Sequence, residues 1–224
     1  MSYSFMRKLS PCQSMKESLD PAEVAFFAEV QRILSRRRVL LPKNISKVCA
    51  VDAAYSDDVV VAVASLFEDG LPAETSTYVG TCNLPYVSGL FFLREGPFVV
   101  EAVKGLTSRP QLVCFDAHGA AHPRLTGMAT VCGMVLGIPS VGIAKSLLVG
   151  TAARARDDLQ RIVYGGRGVG FVVRTGRATR YWSPGYSVSM GELKLVIRSR
   201  GLVCLRAMAE SDRAARDQVR AASA

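Results

Sequence analysis

The chain has 224 residues, 49% of them hydrophobic and 21% charged, which is enough for a sheet covered by helices. No apolar run approaches the roughly 20 residues that cross a bilayer, and Met1–Lys8 has no apolar core of signal-peptide length behind its charges, so a soluble cytoplasmic protein with no membrane partner is expected. Lys and Arg outnumber Asp and Glu by 28 to 19, a net charge of +9 that favours a polyanionic partner, while six cysteines without a single C-x-x-C pair leave a zinc ribbon no ligands and argue against a disulfide framework.

Residues 1–18 read as irregular. Asp20-Pro21-Ala22-Glu23 then carries a helix-start signature: a capping Asp, Pro at the first helical position and an acid three residues after the cap. The helix runs to about Ser35 and ends in Arg36-Arg37-Arg38, which suit the negative end of its dipole or form a solvated face. Val48-Cys-Ala-Val51 is a short buried strand ending at Asp52. Val59 to Leu66, after the acidic turn Asp57-Asp58, is a second strand, and Glu68-Asp69-Gly70 turns the chain into a third around Thr75 to Thr81. Short turns between three strands imply an antiparallel meander.

The pattern then changes. Pro97 opens a helix whose apolar positions 99, 102, 103 and 106 follow the helical period, and Leu112-Val-Cys-Phe115 is apolar throughout, as in a strand buried on both faces. Leu125, Met128, Ala129, Cys132, Val135 and Leu136 form one stripe of a second helix, which Gly137-Ile-Pro139 stops before a strand from Ser140 to Ile143. Strand, helix, strand in alternation favours parallel pairing. Val169 to Arg174 and Thr179 to Trp182 form a further strand pair. Ser189-Met-Gly-Glu192 is a capping box for a C-terminal helix, and residues 210–224, rich in Ala and Arg, are expected to be irregular. The whole predicts one α/β domain, a mixed sheet of meander plus parallel strands flanked by helices.

Chemistry-bearing residues cluster in a few places. Histidine occurs only at 118 and 122, both within Phe115-Asp116-Ala-His118-Gly-Ala-Ala-His122-Pro-Arg124, after a buried strand and before a helix, where α/β sheets place ligand-binding groups. Asp52, alone, reads as an ordinary turn residue; beside Asp116 it gains meaning, because both acids end strands expected to be neighbours. Two carboxylates about 4 Å apart repel by roughly 4 kcal/mol at an effective dielectric near 20, so a proton or a cation must sit between them. Oxygen donors select a hard ion, Mg²⁺ or Mn²⁺. Glu95, in Phe92-Leu-Arg-Glu95-Gly-Pro97, is either a dipole-favoured helix acid or the third carboxylate of that site. Lys145 follows a strand and suits a phosphate as a point charge. Pro85-Tyr86-Val-Ser-Gly89 is a turn-forming loop whose aromatic is placed to stack on a base.

Together these segments resemble endonuclease V. The stretches that carry the resemblance are Val51-Asp-Ala-Ala-Tyr55, Pro85–Gly89, Phe92–Pro97, Phe115-Asp116 through His122-Pro-Arg124, Ile143-Ala-Lys145-Ser146 and Ser183-Pro-Gly185, in family order from about residue 21 to 205. The resemblance implies a ribonuclease H-like fold and a Mg²⁺-dependent DNA repair endonuclease that cuts the second phosphodiester bond 3′ to deoxyinosine, leaving a 3′-hydroxyl and a 5′-phosphate. It makes Asp52, Asp116 and Glu95 the metal ligands and adds His122 and Lys145 to the catalytic centre. His122 would orient or deprotonate the attacking water, or bind a phosphate. Tyr86, with Pro85 and Gly89, would form a wedge beside a pocket that reads hypoxanthine, and His118 would contact substrate. The expected partner is nucleic acid with a deaminated purine, acted on by a monomer. An inosine-specific ribonuclease is the alternative within the class, and a binding module that has lost turnover is the alternative outside it. Four positions depart from the family pattern: Ser88 for a second wedge proline, Ala117 for a glycine, and Val131 and Tyr186 where histidine is frequent.

Overall fold

The computed structural model describes residues 40–153, 159–176 and 178–222, together with 21, 24, 25, 27, 29 and 30. Those six residues are helical; the Asp20 cap, the arginine run and residues 1–18 lie outside the described residues. The remaining chain lays down β1 (Lys47–Ser56), β2 (Val59–Glu68), β3 (Leu71–Thr81), α1 (Phe91–Lys104), β4 (Leu112–Phe115), α2 (Met128–Leu136), β5 (Ser140–Ala144), β6 (Thr151–Ala152), β7 (Gln160–Tyr164), β8 (Arg167–Thr175), β9 (Ala178–Pro184) and α3 (Met190–Ala222).

The strands pair in one sheet, in the order β3-β2-β1-β4-β5-β9-β8-β7-β6. β1, β2 and β3 form the antiparallel meander, closed at Asp69-Gly70 by two successive left-handed residues, as a tight hairpin turn of matching twist requires. β1, β4 and β5 are parallel, and β9 runs antiparallel beside β5. The mixed sheet is therefore as expected, extended by β6 and β7, which no period-2 run of apolar residues announces.

Alternation along the strands sorts the core into two layers. Cys49, Val51, Val113 and Phe115 face α1 and α2, where Val99, Ala102, Val103, Met128 and Cys132 meet them. Val48, Ala50, Leu112, Cys114, Val141, Ile143 and Trp182 face α3, packing on Leu193, Val196, Cys204, Ala207 and Met208. Both faces being covered, β4 and β5 are buried along their whole length.

Three expectations are corrected. β1 does not stop at Asp52: its parallel partner ends at Val51↔Phe115, but its antiparallel partner β2 carries it on to Ser56, so Asp52 sits mid-strand where one neighbour has just been lost. α1 starts at Phe91, not Pro97; the turn Val87–Leu90 launches it, and burial of Val99, Val100, Ala102 and Val103 holds it together through the proline, which removes one amide donor. Residues 210–222 are not irregular. α3 runs through them, because Ala207, Ser211 and Ala215 lie buried against the sheet. No described helix is long and apolar enough to cross a membrane.

Candidate active site

The same alternation that sorts the core decides where the acids point. Asp52 shares its strand face with Val48 and Ala50, and Lys145 continues the face of Ile143, so both project toward α3 at the edge where the parallel strands end. Asp116 follows β4 directly. A residue that sequence reasoning missed completes the group: Asp212 on α3. The Lys145 ammonium lies 2.5 Å from Asp116 Oδ2 and 3.6 Å from Asp212 Oδ1, and Arg216 holds the same Asp212 oxygen at 2.6 Å. Lys145 sits above its ordinary pKa: burial alone would lower it, and the pull of Asp116, Asp52 and Asp212 outweighs that.

Asp52 is 9% exposed. Burial first, then the charge of Asp116, push its carboxyl up to about 7, and it shares a hydrogen bond with Asp212. Burial also works on Asp212, yet that bond and the Arg216 and Lys145 charges hold its carboxyl below the usual range. The Arg216 and Lys145 counter-charges thus favour the ionised form of Asp212. Glu95 comes from α1, on the other side of the sheet. It is buried, and burial, then Asp52, push it up to about 8. The Tyr55 hydroxyl faces Glu95 without closing a hydrogen bond of good geometry, and the Arg94 guanidinium lies 4.9 Å over the Tyr55 ring.

Burial and like charge raise the carboxyls of Asp52 and Glu95, and crowded carboxylates of this kind suit a hard divalent ion. Asp52, Asp116, Glu95 and Asp212 supply only oxygen, which fits Mg²⁺ or Mn²⁺ and not a thiophilic metal. Among the described residues no three His, Cys, Asp or Glu side chains stand as a ready-made cage, and the cation that Asp116 faces is the Lys145 ammonium.

Two cavities of about 270 Å³ each open on either side of Asp116 and Lys145, which wall both. The first is lined by Tyr86, Gly89, Phe91, Phe92, His118 and His122, the second by Asp52, Asp212, Arg180, Ile143, Leu205 and Met208. The floor of the first is the Asp116–Gly127 loop. Close backbone approach fixes it: a Cβ on Gly119 would run into the Pro184 carbonyl, and the Gly119 N–H donates to Ser183 Oγ at 2.8 Å.

The histidines are both engaged. His118 Nε2 is 3.0 Å from the Ser146 carbonyl, joining the loop to the turn after Lys145. His122, 3% exposed, accepts the Arg124 N–H at Nδ1 (3.2 Å), which leaves Nε2 to donate to the Gly89 carbonyl (3.0 Å). Burial, then Arg124, bring its pKa down to about 4, so the ring is neutral at physiological pH. The Gly89 carbonyl also accepts from the Arg124 guanidinium. These two donors tie the Tyr86 loop to the Asp116 loop. The loop is held at its other end as well, where Arg94 Nη1 donates to the Leu84 carbonyl (2.9 Å) and Cys82 Sγ–H to the Arg94 carbonyl. Gly89 takes φ +79°, which Gly adopts freely. Tyr86 is 63% exposed and touches Phe91, ring centroids 5.9 Å apart. Pro85 is half-buried beside it.

The four departures have local explanations. The loop is tied at Gly89, beside Ser88, without a second proline. Ala117 lacks positive φ, so its methyl strains nothing, and it is buried in the α1–α2 layer. Val131 and Tyr186 are buried, and the backbone of Tyr186 brackets Ser140 through N–H···Oγ (2.8 Å) and C=O···H–N (2.9 Å) bonds.

Comparison with known proteins agrees with this geometry. The family model for Endonuclease V matches residues 30–200. An Endonuclease V of Saccharolobus islandicus is 37% identical over 149 residues, covering 66% of this chain and 72% of that protein. The Endonuclease V structure from Streptomyces avermitilis superposes with a TM-score of 0.76 at 26% identity, over 95% of this chain and 98% of the other. The Ciona intestinalis Endonuclease V, crystallised with DNA containing an inosine followed by a ribo-adenosine, shares the fold: TM-score 0.77, 16% identity, 90% of this chain and 99% of the other. The sheet and its helices are thus the ribonuclease H-like fold of those enzymes.

Proposed function

The chain belongs to the endonuclease V family, and on that footing we propose that this endonuclease is Mg²⁺-dependent and hydrolyses the second phosphodiester bond 3′ to deoxyinosine, leaving a 3′-hydroxyl and a 5′-phosphate. The observation that carries the reading is the meeting of Asp52, Asp116, Asp212 and Lys145 around one cavity on one sheet face, with Asp116 and Lys145 also walling a second. Incubating an inosine-bearing DNA oligonucleotide with the chain, with and without Mg²⁺, and mapping the nick tests it; a cut elsewhere, or none, would remove the assignment. A matched RNA oligonucleotide in the same assay decides between the deoxyribonuclease and ribonuclease readings.

Asp52, Asp116, Glu95 and Asp212 would hold the divalent ion, with Mn²⁺ as a substitute. Bound there, it would supply charge for the scissile phosphate and a more acidic water for attack. Lys145, pointing out from β5 with its side chain half exposed, binds the phosphate that comes to lie against Asp116. The deaminated base enters the first cavity, with Tyr86 in the gap it leaves and the His118 region of the loop reading its edge.

Tyr86→Ala is expected to cut the preference for inosine-bearing over undamaged oligonucleotide by about tenfold, since stacking of one base on an aromatic contributes roughly 1–3 kcal/mol. Metal dependence stays as it was. The ratio of kcat/KM on the two substrates checks this, and an unchanged ratio removes the wedge from Tyr86.

His122 holds a loop with both its nitrogens, and its pKa of about 4 leaves no imidazolium to titrate near neutrality. Two results follow. His122→Gln, which can still donate to Gly89, is expected to retain activity within a few-fold, whereas His122→Ala loses lesion preference as Tyr86→Ala does. The rate–pH profile of the Gln variant should overlay that of wild type, and loss of one limb would show His122 to be the base.

A further inference from the structure

The cavity on the α3 side of Asp116 and Lys145 has a wall that the reading above does not use. Arg180, on β9, shares the strand face of Trp182 and so points toward α3. It lines this cavity with Leu205, Met208 and Ala209. Among the described residues its guanidinium makes one hydrogen bond, to the carbonyl of the adjoining Thr179 at 3.1 Å, and joins none of the ion pairs. The site's carboxylates have other counter-charges: Lys145 serves Asp116, and Arg216 serves Asp212. Charge balance therefore does not account for Arg180.

We propose that this second cavity is a subsite for the nucleotide immediately 3′ of the cut, with Arg180 binding that nucleotide's phosphodiester and the Leu205–Met208 wall receiving its sugar or base. The inference rests on the nuclease reading. With the lesion in the first cavity and the scissile phosphate at the shared wall of Asp116 and Lys145, the second cavity is the opening on the far side of that wall, in reach of a strand that continues 3′ of the cut. A planar guanidinium presents paired donors that match two phosphate oxygens, and the apolar surface beneath it suits the uncharged remainder of a nucleotide.

The test uses the full chain and a series of inosine-bearing oligonucleotides with one 5′ arm and 3′ arms ending one, two, four or eight nucleotides past the nick. For wild type, KM is expected to fall several-fold once the arm brings its first phosphodiester beyond the cut, with kcat nearly constant. Arg180→Ala should raise KM about tenfold on the long substrates, the usual cost of losing a hydrogen bond to a charged group, and match wild type on the shortest. Arg180→Lys should recover part of the loss. On long substrates the slope of log affinity against log salt should flatten by about 0.7–0.9 in the Ala variant. A KM that ignores arm length in wild type, or an Arg180→Ala loss equal at every length, overturns the subsite. A wild-type chain that cuts none of the series overturns the nuclease reading and the subsite with it. Thermal melting of both variants guards against misfolding, since a Lys variant that melts like wild type and still loses all length dependence also counts against the proposal.

Discussion

Asp52→Asn is expected to lower metal-dependent cleavage on the order of a thousandfold, the rate equivalent of about 4 kcal/mol, and to make the metal-free protein more stable at the same time. The second half of that result distinguishes a site carboxylate from a merely structural one. Burial and Asp116 push the Asp52 carboxyl up to about 7 from the ordinary 3.8. The folded chain therefore binds this proton more tightly than the unfolded chain does. Where the folded pKa of an acid is raised, stability falls as pH climbs from the unfolded value, and the fall is complete once pH passes the folded value. Without metal, wild type should melt lower at pH 8 than at pH 5. The Asp52→Asn substitution should flatten that dependence and raise the pH 8 melting point by about 3–10 °C. Added Mg²⁺ should raise the wild-type melting point more at pH 8 than at pH 6, because the ion competes with protons for the same oxygens. Asp116→Asn should match the loss of activity. Full cleavage by either variant, or an Asp52→Asn protein that melts below wild type at pH 8, would dismantle the site.

Asp212→Asn is expected to cost on the order of a hundredfold in kcat with the fold intact. Asp212 reaches the group only because α3 lies close to β1. Small side chains permit that approach: Ala207, Ser211 and Ala215 are buried at helical spacing, and Ser211 Oγ–H donates to the Ala50 carbonyl at 2.9 Å. Next to Ser211, Asp212 meets Asp52 and Lys145. Arg216→Ala is the control, since it removes the counter-charge and leaves the carboxylate; its activity should stay within a few-fold. Ser211→Leu should mimic Asp212→Asn by wedging the helix off the strand. A fully active Asp212→Asn, checked by single-turnover rates at saturating Mg²⁺, would reduce Asp212 to a partner of Arg216.

The fold was legible wherever burial is two-sided or strictly periodic. Leu112–Phe115 is apolar throughout and Val141–Ala144 nearly so because helices cover both faces, and the meander shows in its turn residues. What escaped notice lacks those signals. Toward its C-terminal end α3 contacts the sheet through Ala207, Ser211 and Ala215, so residues 210–222 carry no stripe of large hydrophobics, and Asp212 looks like any other charge on an Ala- and Arg-rich tail. β7 is only partly buried. Pro97 misled because tertiary packing overrides its helix-breaking tendency. Of the site, the motif positions were legible one at a time; their meeting was not, since Glu95 and Asp52 come from opposite sides of the sheet. The bond of His122 to the Tyr86 loop was not legible either, because it depends on a main-chain carbonyl 33 residues away.

The contribution of α3 has a consequence for synthesis. Every strand of the sheet precedes residue 190, so the sheet is translated in full while Asp212 has yet to be made. A ribosome carrying that nascent product holds three of the four acids but not the last. If Asp212 serves as proposed, cleavage competence would arrive only when the final helix emerges and docks, and a product ending before residue 212 would keep every strand of the sheet and lose that carboxylate.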